Sequence, residues 1–319
     1  MRSPKPTDDT TSAPAPSASG QPAVAGVVAR PMALALLILV IAVWGANWPI
    51  MKLTLASIPP LTFAVARLAL GSLCLLAVLL ALGRLRLPGR DDLPVVVTVG
   101  LLQLAGYLAF IHLGLVHVAA GRSAILGYTT MIWVAPLAAA FLGERLTRRK
   151  SAGLASGLGG VLALFNPVEF DWSDGNLLLG NGFLLAGALC WAISIVHVRA
   201  HRFRLTPLQL APWQMAVGLV PLVAVAAYGE DPSAIDWSPG LAAALIYNGA
   251  LATGFALWAW LSLNRALSAI TTSMGSLGVP VVGLVTSALW LGEPISATTA
   301  AGLLLIVAGL ALIASETEG

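Results

Sequence analysis

The sequence contains one long unit twice, and this duplication limits the folds that the chain can adopt. Residues 142–144 (Leu-Gly-Glu) recur as residues 291–293, which lie 149 positions further on. Trp44 recurs as Trp191 at a spacing of 147, so two inserted residues separate the two sets of matches. A repeat of this length predicts two copies of one structural unit. We therefore expect any functional site to lie where the two copies meet.

The repeated unit is too apolar for a soluble domain. Hydrophobic residues make up 58% of the chain and charged residues only 10%, against roughly a quarter charged in soluble domains. After residue 30, apolar segments of near membrane-spanning length alternate with short polar breaks. The segments are 32–51, 61–82, 93–113, 121–142, 151–165, 177–198, 208–228, 241–263, 271–291 and 298–314. Because lipid offers no partner for free backbone groups, these spans must be helices.

This pattern predicts an all-α integral membrane protein of ten transmembrane helices, arranged as two inverted repeats of five. The first repeat covers residues 31–166 and the second residues 176–314. Residues 1–30 are rich in proline, serine and alanine, and they are predicted to form a disordered cytoplasmic tail. Five spans is an odd number, so the second copy must enter the membrane in the opposite orientation to the first. Inverted repeats are typical of secondary transporters, with the site near the midplane.

The basic residues predict the orientation of the chain. If the N-terminus lies in the cytoplasm, 14 of the 17 lysines and arginines fall on the cytoplasmic side, as the positive-inside rule requires. These are Arg2, Lys5, Arg30, Arg84, Arg86, Arg90, Arg145, Arg148, Arg149, Lys150, Arg199, Arg202, Arg204 and Arg265. Both termini are then cytoplasmic. The two cysteines, Cys74 and Cys190, lie in apolar segments and indicate neither a disulfide framework nor a metal site.

Short motifs in a fixed order resemble the EamA family of the drug/metabolite transporter superfamily. They are Val-Trp-Gly-Ala-Asn-Trp-Pro at 43–49, Pro60 followed by Arg67, Ala-Gly-Arg-Ser-Ala at 120–124 and Leu-Gly-Glu-Arg-Leu at 142–146. The resemblance implies a multi-pass transporter of the bacterial inner membrane that exports amino acids or related metabolites. The second copy departs from the pattern, since Ala192 replaces the glycine after the tryptophan and Gln214 stands where Arg67 would recur.

Polar and aromatic side chains within the spans are the candidate substrate-binding residues. Helical spacing places Trp44, Asn47 and Trp48 on one face of the first span, and the repeat places Trp191 and Ser194 opposite. The full candidate set is Trp44, Asn47, Trp48, Arg67, Gln103, Tyr107, Trp133, Trp191, Ser194, Tyr247 and Trp258. The alternative is interfacial anchoring and ordinary helix packing. Trp44 lies in the middle of its span, which favours a role in binding.

Three charged residues leave alternatives open. Arg67 lies about two turns into the second span, where a charge is costly. It could bind a substrate carboxylate, or it could snorkel outward or cap a helix broken near Pro49. Glu144 and Glu293 end the fourth and ninth spans, where each could gate the path or could simply pair with an arginine or a helix N-terminus.

The function classes that remain are a metabolite transporter and, as the alternative, an integral-membrane enzyme or lipid-handling protein. The second class needs a cluster of catalytic side chains at one membrane surface, and the loops show no such pattern. A passive channel is disfavoured because no span has continuous polarity. The expected partners are a small-molecule substrate and the lipid bilayer, without nucleic acid, metal or cofactor, and the protein is expected to be a monomer or homodimer.

Overall fold

The computed structural model of this chain describes residues 30–144, 146–165, 173–267 and 269–314. All regular secondary structure in these residues is helical. The predicted N-terminal tail, apart from Arg30, lies outside the described residues. The α-helices are α1 (Arg30–Thr54), α2 (Pro60–Ala81), α3 (Leu93–Thr98), α4 (Tyr107–His117), α5 (Ala120–Gly127), α6 (Thr130–Leu142), α7 (Arg148–Phe165), α8 (Gly175–Ala200), α9 (Pro207–Gly229), α10 (Pro239–Ile246), α11 (Ala256–Ala266), α12 (Ala269–Ser276), α13 (Gly278–Leu291) and α14 (Ala297–Ala314).

Seven helical stretches among the described residues have the length and composition of membrane spans. They are Pro31–Thr54, Pro60–Ala81, Leu93–His117, Ala120–Leu142, Gly175–Ala200, Pro207–Gly229 and Pro239–Leu263. Two shorter apolar helices, Gly278–Leu291 and Ala297–Ile313, follow. Large apolar side chains also cover the outside, among them Val220 at 70% and Leu304 at 69% exposure. Such a surface suits lipid rather than water.

The spans are interrupted at matching places in the two halves. A π-helical stretch, Val99–Gly106, joins α3 to α4, and a second one, Tyr247–Phe255, joins α10 to α11. The fourth span is broken between α5 and α6, and its counterpart is broken between α12 and α13. By contrast, α1 continues through Pro49 without a break. Local π-helical geometry often occurs at functional sites, so these interruptions direct attention to the middle of the bundle.

The repeated Leu-Gly-Glu motif has a backbone cause. Gly143 and Gly292 follow the last residues of α6 and α13 with φ angles of 69° and 67°. A residue in this left-handed region commonly ends an α-helix, and glycine adopts it without steric cost. Each copy of the motif is therefore a helix stop that places a glutamate just beyond the helix end.

Helix packing has the same pattern when the two halves are exchanged. Helix α1 packs on α13 and α11, and its counterpart α8 packs on α6 and α4. Helix α2 contacts the second π-helical stretch, and α9 contacts the first. Helices α7 and α14 pack on each other through glycines: a Cβ atom added to Gly153 would lie 2.6 Å from the carbonyl oxygen of Gly309. The glycine pattern of α7 therefore serves close packing within the chain.

Carboxylate contacts at the two ends of α9 tie it to the start of α2 and to the start of α3. At one end, the Glu230 carboxylate accepts hydrogen bonds from the backbone N–H groups of Leu61 and Thr62 at 2.7 and 2.6 Å. At the other, the Asp92 carboxylate accepts from the N–H groups of Arg204 and Leu205 at 2.7 and 3.2 Å. Burial opposes ionisation of Asp92, but hydrogen bonds from backbone N–H groups outweigh it and lower the pKa of this carboxyl.

Candidate functional site

Arg67 lies inside the bundle and bridges the two halves of the chain. It is half-buried on α2. Its Nε donates to the hydroxyl of Thr253, on the second π-helical stretch, at 3.0 Å. One terminal nitrogen lies 3.0 Å from the sulfur of Met51 on α1, and a thioether is a weak acceptor. Since a guanidinium carries five N–H donors, these two contacts leave donors for a further partner.

Three of the four tyrosines of the chain lie near this cation. Arg67 interacts electrostatically with Tyr107, Tyr128 and Tyr247. They come from three different segments: the start of α4, the break between α5 and α6, and the second π-helical stretch. Tyr247 donates its hydroxyl to the carbonyl of Val43 on α1 at 2.7 Å. The cation therefore has tyrosine side chains from both halves in its neighbourhood.

No carboxylate in the described part of the chain pairs with Arg67. The ion pairs found there join Glu144 to Lys150 and Arg199, and Asp91 to Arg204. A charge held in an apolar bundle without a counter-ion is expensive. A bound carboxylate would neutralise it and could accept two parallel hydrogen bonds from the guanidinium. The chemistry that fits this position is anion binding.

Asn47 supplies a second polar group near the same place. It lies on α1 one turn before Met51, the residue that contacts Arg67. Its side chain is 4% exposed, and its Oδ1 has no hydrogen-bond partner among the described residues. A buried polar atom without a partner costs about 1–3 kcal/mol. An ammonium or hydroxyl group of a ligand could supply the missing donor.

The predicted tryptophan pair occupies matching positions in the two halves. The Trp44 indole donates to the carbonyl of Ala252 at 2.9 Å, in the second π-helical stretch. Trp191 meets Tyr107 edge to face at a centroid distance of 4.6 Å. Next to Trp191, the Ser194 hydroxyl donates to the side-chain oxygen of Gln103 at 3.3 Å.

Three predicted residues have other surroundings. Trp48 is 3% exposed and packs in the apolar core, where a Cβ atom added to Gly127 would lie 2.7 Å from its ring. Trp133 packs beside Ala192 and Val196, and its indole nitrogen has no hydrogen-bond partner among the described residues. Trp258 is 40% exposed, with its ring 5.6 Å from that of Phe255. The structure thus brings Tyr107, Tyr247 and the face of α1 to Arg67, and gives Trp258 an outward position.

Sequence reasoning missed two partners of Arg67. Tyr128 follows Gly127 at the break of the fourth span, and Thr253 lies 186 residues from Arg67 in the sequence. One signal was present for Tyr128, because it is one of four tyrosines in the chain and lies within a predicted span. For Thr253 there was no such signal, because its contact with Arg67 depends on the π-helical stretch.

Among the described residues, no group of three or more metal-ligating side chains occurs.

The comparison with known families identifies the class. The EamA-like transporter family matches residues 31–166 and again residues 178–315. The chain therefore belongs to the EamA-like transporter family, which confirms the resemblance read from the motifs. Together with the apolar helices, this makes it a multi-pass membrane protein of a transporter family. The family description indicates a transporter.

Three curated relatives are named as a transporter, an exporter or an efflux pump. The chain is 29% identical to the uncharacterized transporter YoaV of Bacillus subtilis (strain 168), over 84% of this chain and 91% of the relative. It is 30% identical to a probable amino-acid metabolite efflux pump of Escherichia coli (strain K12), over 86% and 92%. It is 27% identical to a probable terminal-alkyne amino-acid exporter of Streptantibioticus cattleyicolor, over 89% and 93%.

A solved crystal structure shares the fold. It covers 91% of this chain and 100% of its own, with a TM-score of 0.63 and 22% sequence identity. At this identity, the likeness supports the helical fold and carries no statement about the substrate.

Proposed function

We propose that this protein is a secondary transporter with ten membrane-spanning helices in two inverted repeats, residues 31–166 and 176–314. Support comes from the two family matches, from the interruptions at matching positions and from packing that repeats when the halves are exchanged. In this arrangement, the substrate site lies between the repeats, and the barrier on either side opens in turn. The charge pattern favours a bacterial inner-membrane location with both termini in the cytoplasm.

We further propose that the substrate is an amino acid or a related metabolite, which the protein exports. The observation that carries this proposal is Arg67, a cation inside the bundle that has no carboxylate partner in the described residues. It would bind the carboxylate of the substrate. Asn47 would accept a hydrogen bond from the amino group of the substrate. The aromatic rings of Trp44, Tyr107 and Trp191 would offer cation–π contacts to the same ammonium group. The amino-acid exporter names of two relatives agree with this choice.

The test is transport by purified protein in proteoliposomes, with three kinds of labelled substrate. These are amino acids, the matching acids without the amino group, and the matching amines without the carboxylate. We expect amino acids to be transported and amines to be ignored. Arg67→Lys should reduce transport about 10- to 100-fold, because Lys lacks the planar fork and a hydrogen bond to a charged group contributes roughly 1.5–3 kcal/mol.

The matched control is Arg204→Lys. The Arg204 side chain is 81% exposed and pairs with Asp91 at 2.7 Å in a loop, so transport should remain near that of the parent protein. Unchanged transport by Arg67→Lys would assign Arg67 a structural role. Transport of the amines at the rate of the amino acids would reject carboxylate recognition altogether.

A further inference from the structure

The repeated glutamates, Glu293 and Glu144, have different partners at the two ends of the molecule. The Glu293 carboxylate accepts from the backbone N–H groups of Ala120 and Gly121, at 2.7 and 2.9 Å. These are the first two residues of α5. A carboxylate on a helix N-terminus satisfies free N–H groups and interacts favourably with the helix dipole. Glu293 thereby holds the end of α13 against the start of α5.

Lys52 strengthens the contact at this end. Its ammonium donates to the carbonyl oxygens of Leu115, Val116 and Val118, at 2.6, 3.1 and 3.0 Å. These carbonyls lie at and just beyond the end of α4. Lys52 also interacts electrostatically with Glu293. We call this region the Lys52 end; there, one cation and one carboxylate join α1, α4, α5 and the residues after α13.

At the opposite end, the equivalent residues bind each other. The repeat relates Lys52 to Arg199 and Glu293 to Glu144. Arg199 donates to the Glu144 carboxylate, and Lys150 lies 3.6 Å from it. The counterpart of α5 is α12, which begins at Ala269, 149 residues after Ala120. Because α13 ends at the Lys52 end, α12 begins at this opposite end, which we call the Arg199 end.

We infer that Glu293 and Glu144 are positioning residues for the transport cycle, each capping the first half of a broken span in one of the two states. In the state described here, Glu293 caps α5 and closes the Lys52 end, while Glu144 is held by Arg199. In the other state, Glu144 would leave Arg199 and cap α12, and Glu293 would release α5. The inference rests on the proposed transport function and adds the contacts that distinguish the two states.

The physical reason is the near-equivalence of the two halves. Two copies of one sequence motif, in one chain, adopt two bonding patterns. The glutamate of either copy can cap a helix N-terminus or pair with a basic residue. If the two glutamates exchanged these roles, the same kinds of bonds would form, and the two states would have comparable free energies. The breaks after Gly127 and Ser276 separate α5 and α12 from the helices that follow them. The short first half of each span can then move without displacing the whole helix, and α2 and α9 remain joined through Glu230.

The test measures how readily one reporter cysteine at the Lys52 end reacts with a membrane-impermeant maleimide. The background carries Cys74→Ala and Cys190→Ala, and the reporter is Ser123→Cys. Ser123 is fully buried in α5, so its labelling rate reports the opening of this end. Proteoliposomes contain protein in both orientations. The maleimide is therefore supplied both inside and outside the vesicles, so that the labelling rate does not depend on the orientation of the protein. Labelling is measured without substrate, and it therefore succeeds or fails independently of carboxylate recognition by Arg67.

The two glutamates should act in opposite directions. Glu293→Gln weakens the described state and should raise the labelling rate about fivefold, since the loss of a helix cap costs roughly 1 kcal/mol. Glu144→Gln weakens the other state and should lower the rate. The ion pair between Glu144 and Arg199 is exposed to solvent, so its loss should hardly destabilise the described state. The double variant should return towards the parent rate.

Glu230→Gln is the matched control. Glu230 also caps a helix N-terminus, but it joins α2 to α9, which do not separate in this proposal. Its loss should lower thermal stability without changing the labelling rate. The inference is overturned if Glu293→Gln and Glu144→Gln change the labelling rate of the reporter cysteine in the same direction. It is also overturned if Glu230→Gln increases labelling as much as Glu293→Gln does.

Discussion

The contact between α7 and α14 allows a sharp stability prediction, because two adjacent glycines of α7 differ in their surroundings. A Cβ atom added to Gly160 would lie 2.7 Å from the carbonyl oxygen of Gly302 and 2.9 Å from the backbone nitrogen of Ile306. A Cβ atom added to Gly159 would meet nothing within 4 Å. We therefore expect Gly160→Ala to force the two helices apart and to destabilise the protein. We expect Gly159→Ala to be tolerated without loss of stability.

The magnitude follows from two opposing effects. Alanine favours a helix over glycine by about 1 kcal/mol, and this gain applies to both variants. Overpacking costs typically about 1–3 kcal/mol, and it applies only to Gly160→Ala. Besides the side-chain Cγ1 of Ile306 at 2.7 Å, the atoms that Gly160→Ala would meet belong to backbone, which cannot rotate away, so the cost should lie towards the upper end. The difference between the variants should therefore be about 1–3 kcal/mol, with Gly159→Ala the more stable.

The assay is thermal unfolding of both variants and the parent protein in one detergent, followed by intrinsic tryptophan fluorescence. Gly159→Ala should melt at or above the parent temperature and Gly160→Ala clearly below it. Equal melting temperatures for the two variants would show that α7 and α14 are not in close backbone contact. The comparison needs no substrate and no assumption about the direction of transport.

Three further predictions concern orientation, pH and the aromatic residues. A single cysteine replacing Asn176 should react with impermeant maleimide from outside the cell and one replacing Arg148 should not; the opposite accessibility would reject the orientation and the inverted repeat. Asp92→Asn should lower the melting temperature at pH 7. Because the pKa of Asp92 is lowered by folding, its stabilisation is complete above about pH 3.9 and is lost as pH falls through the folded value, so parent and variant should converge in acid. Trp44→Phe should reduce transport by removing the indole donor, while the same change at the outward-facing Trp258 should leave transport near the parent rate.

The sequence alone determined the class of protein and showed that its short motifs recur along the chain. Apolar length decides which segments can be membrane helices, because backbone groups must be satisfied within each span. The helix stops at Gly143 and Gly292 were encoded locally, since only the residue at the stop must adopt a positive φ. The presence of Arg67 in an apolar span marked it for attention, because any charge there must be compensated.

Tertiary structure alone decided what each of these residues meets. Thr253 reaches Arg67 only because the eighth span contains a π-helical stretch, which no simple apolar period predicts. Trp258 and Tyr247 were both predicted to bind substrate, yet Trp258 is exposed and Tyr247 donates a hydrogen bond to α1. Glu144 and Glu293 have the same local sequence and different partners, an arginine in one case and a helix N-terminus in the other. Local sequence sets the position of a side chain along its helix, whereas its partner depends on which distant helix packs against that position.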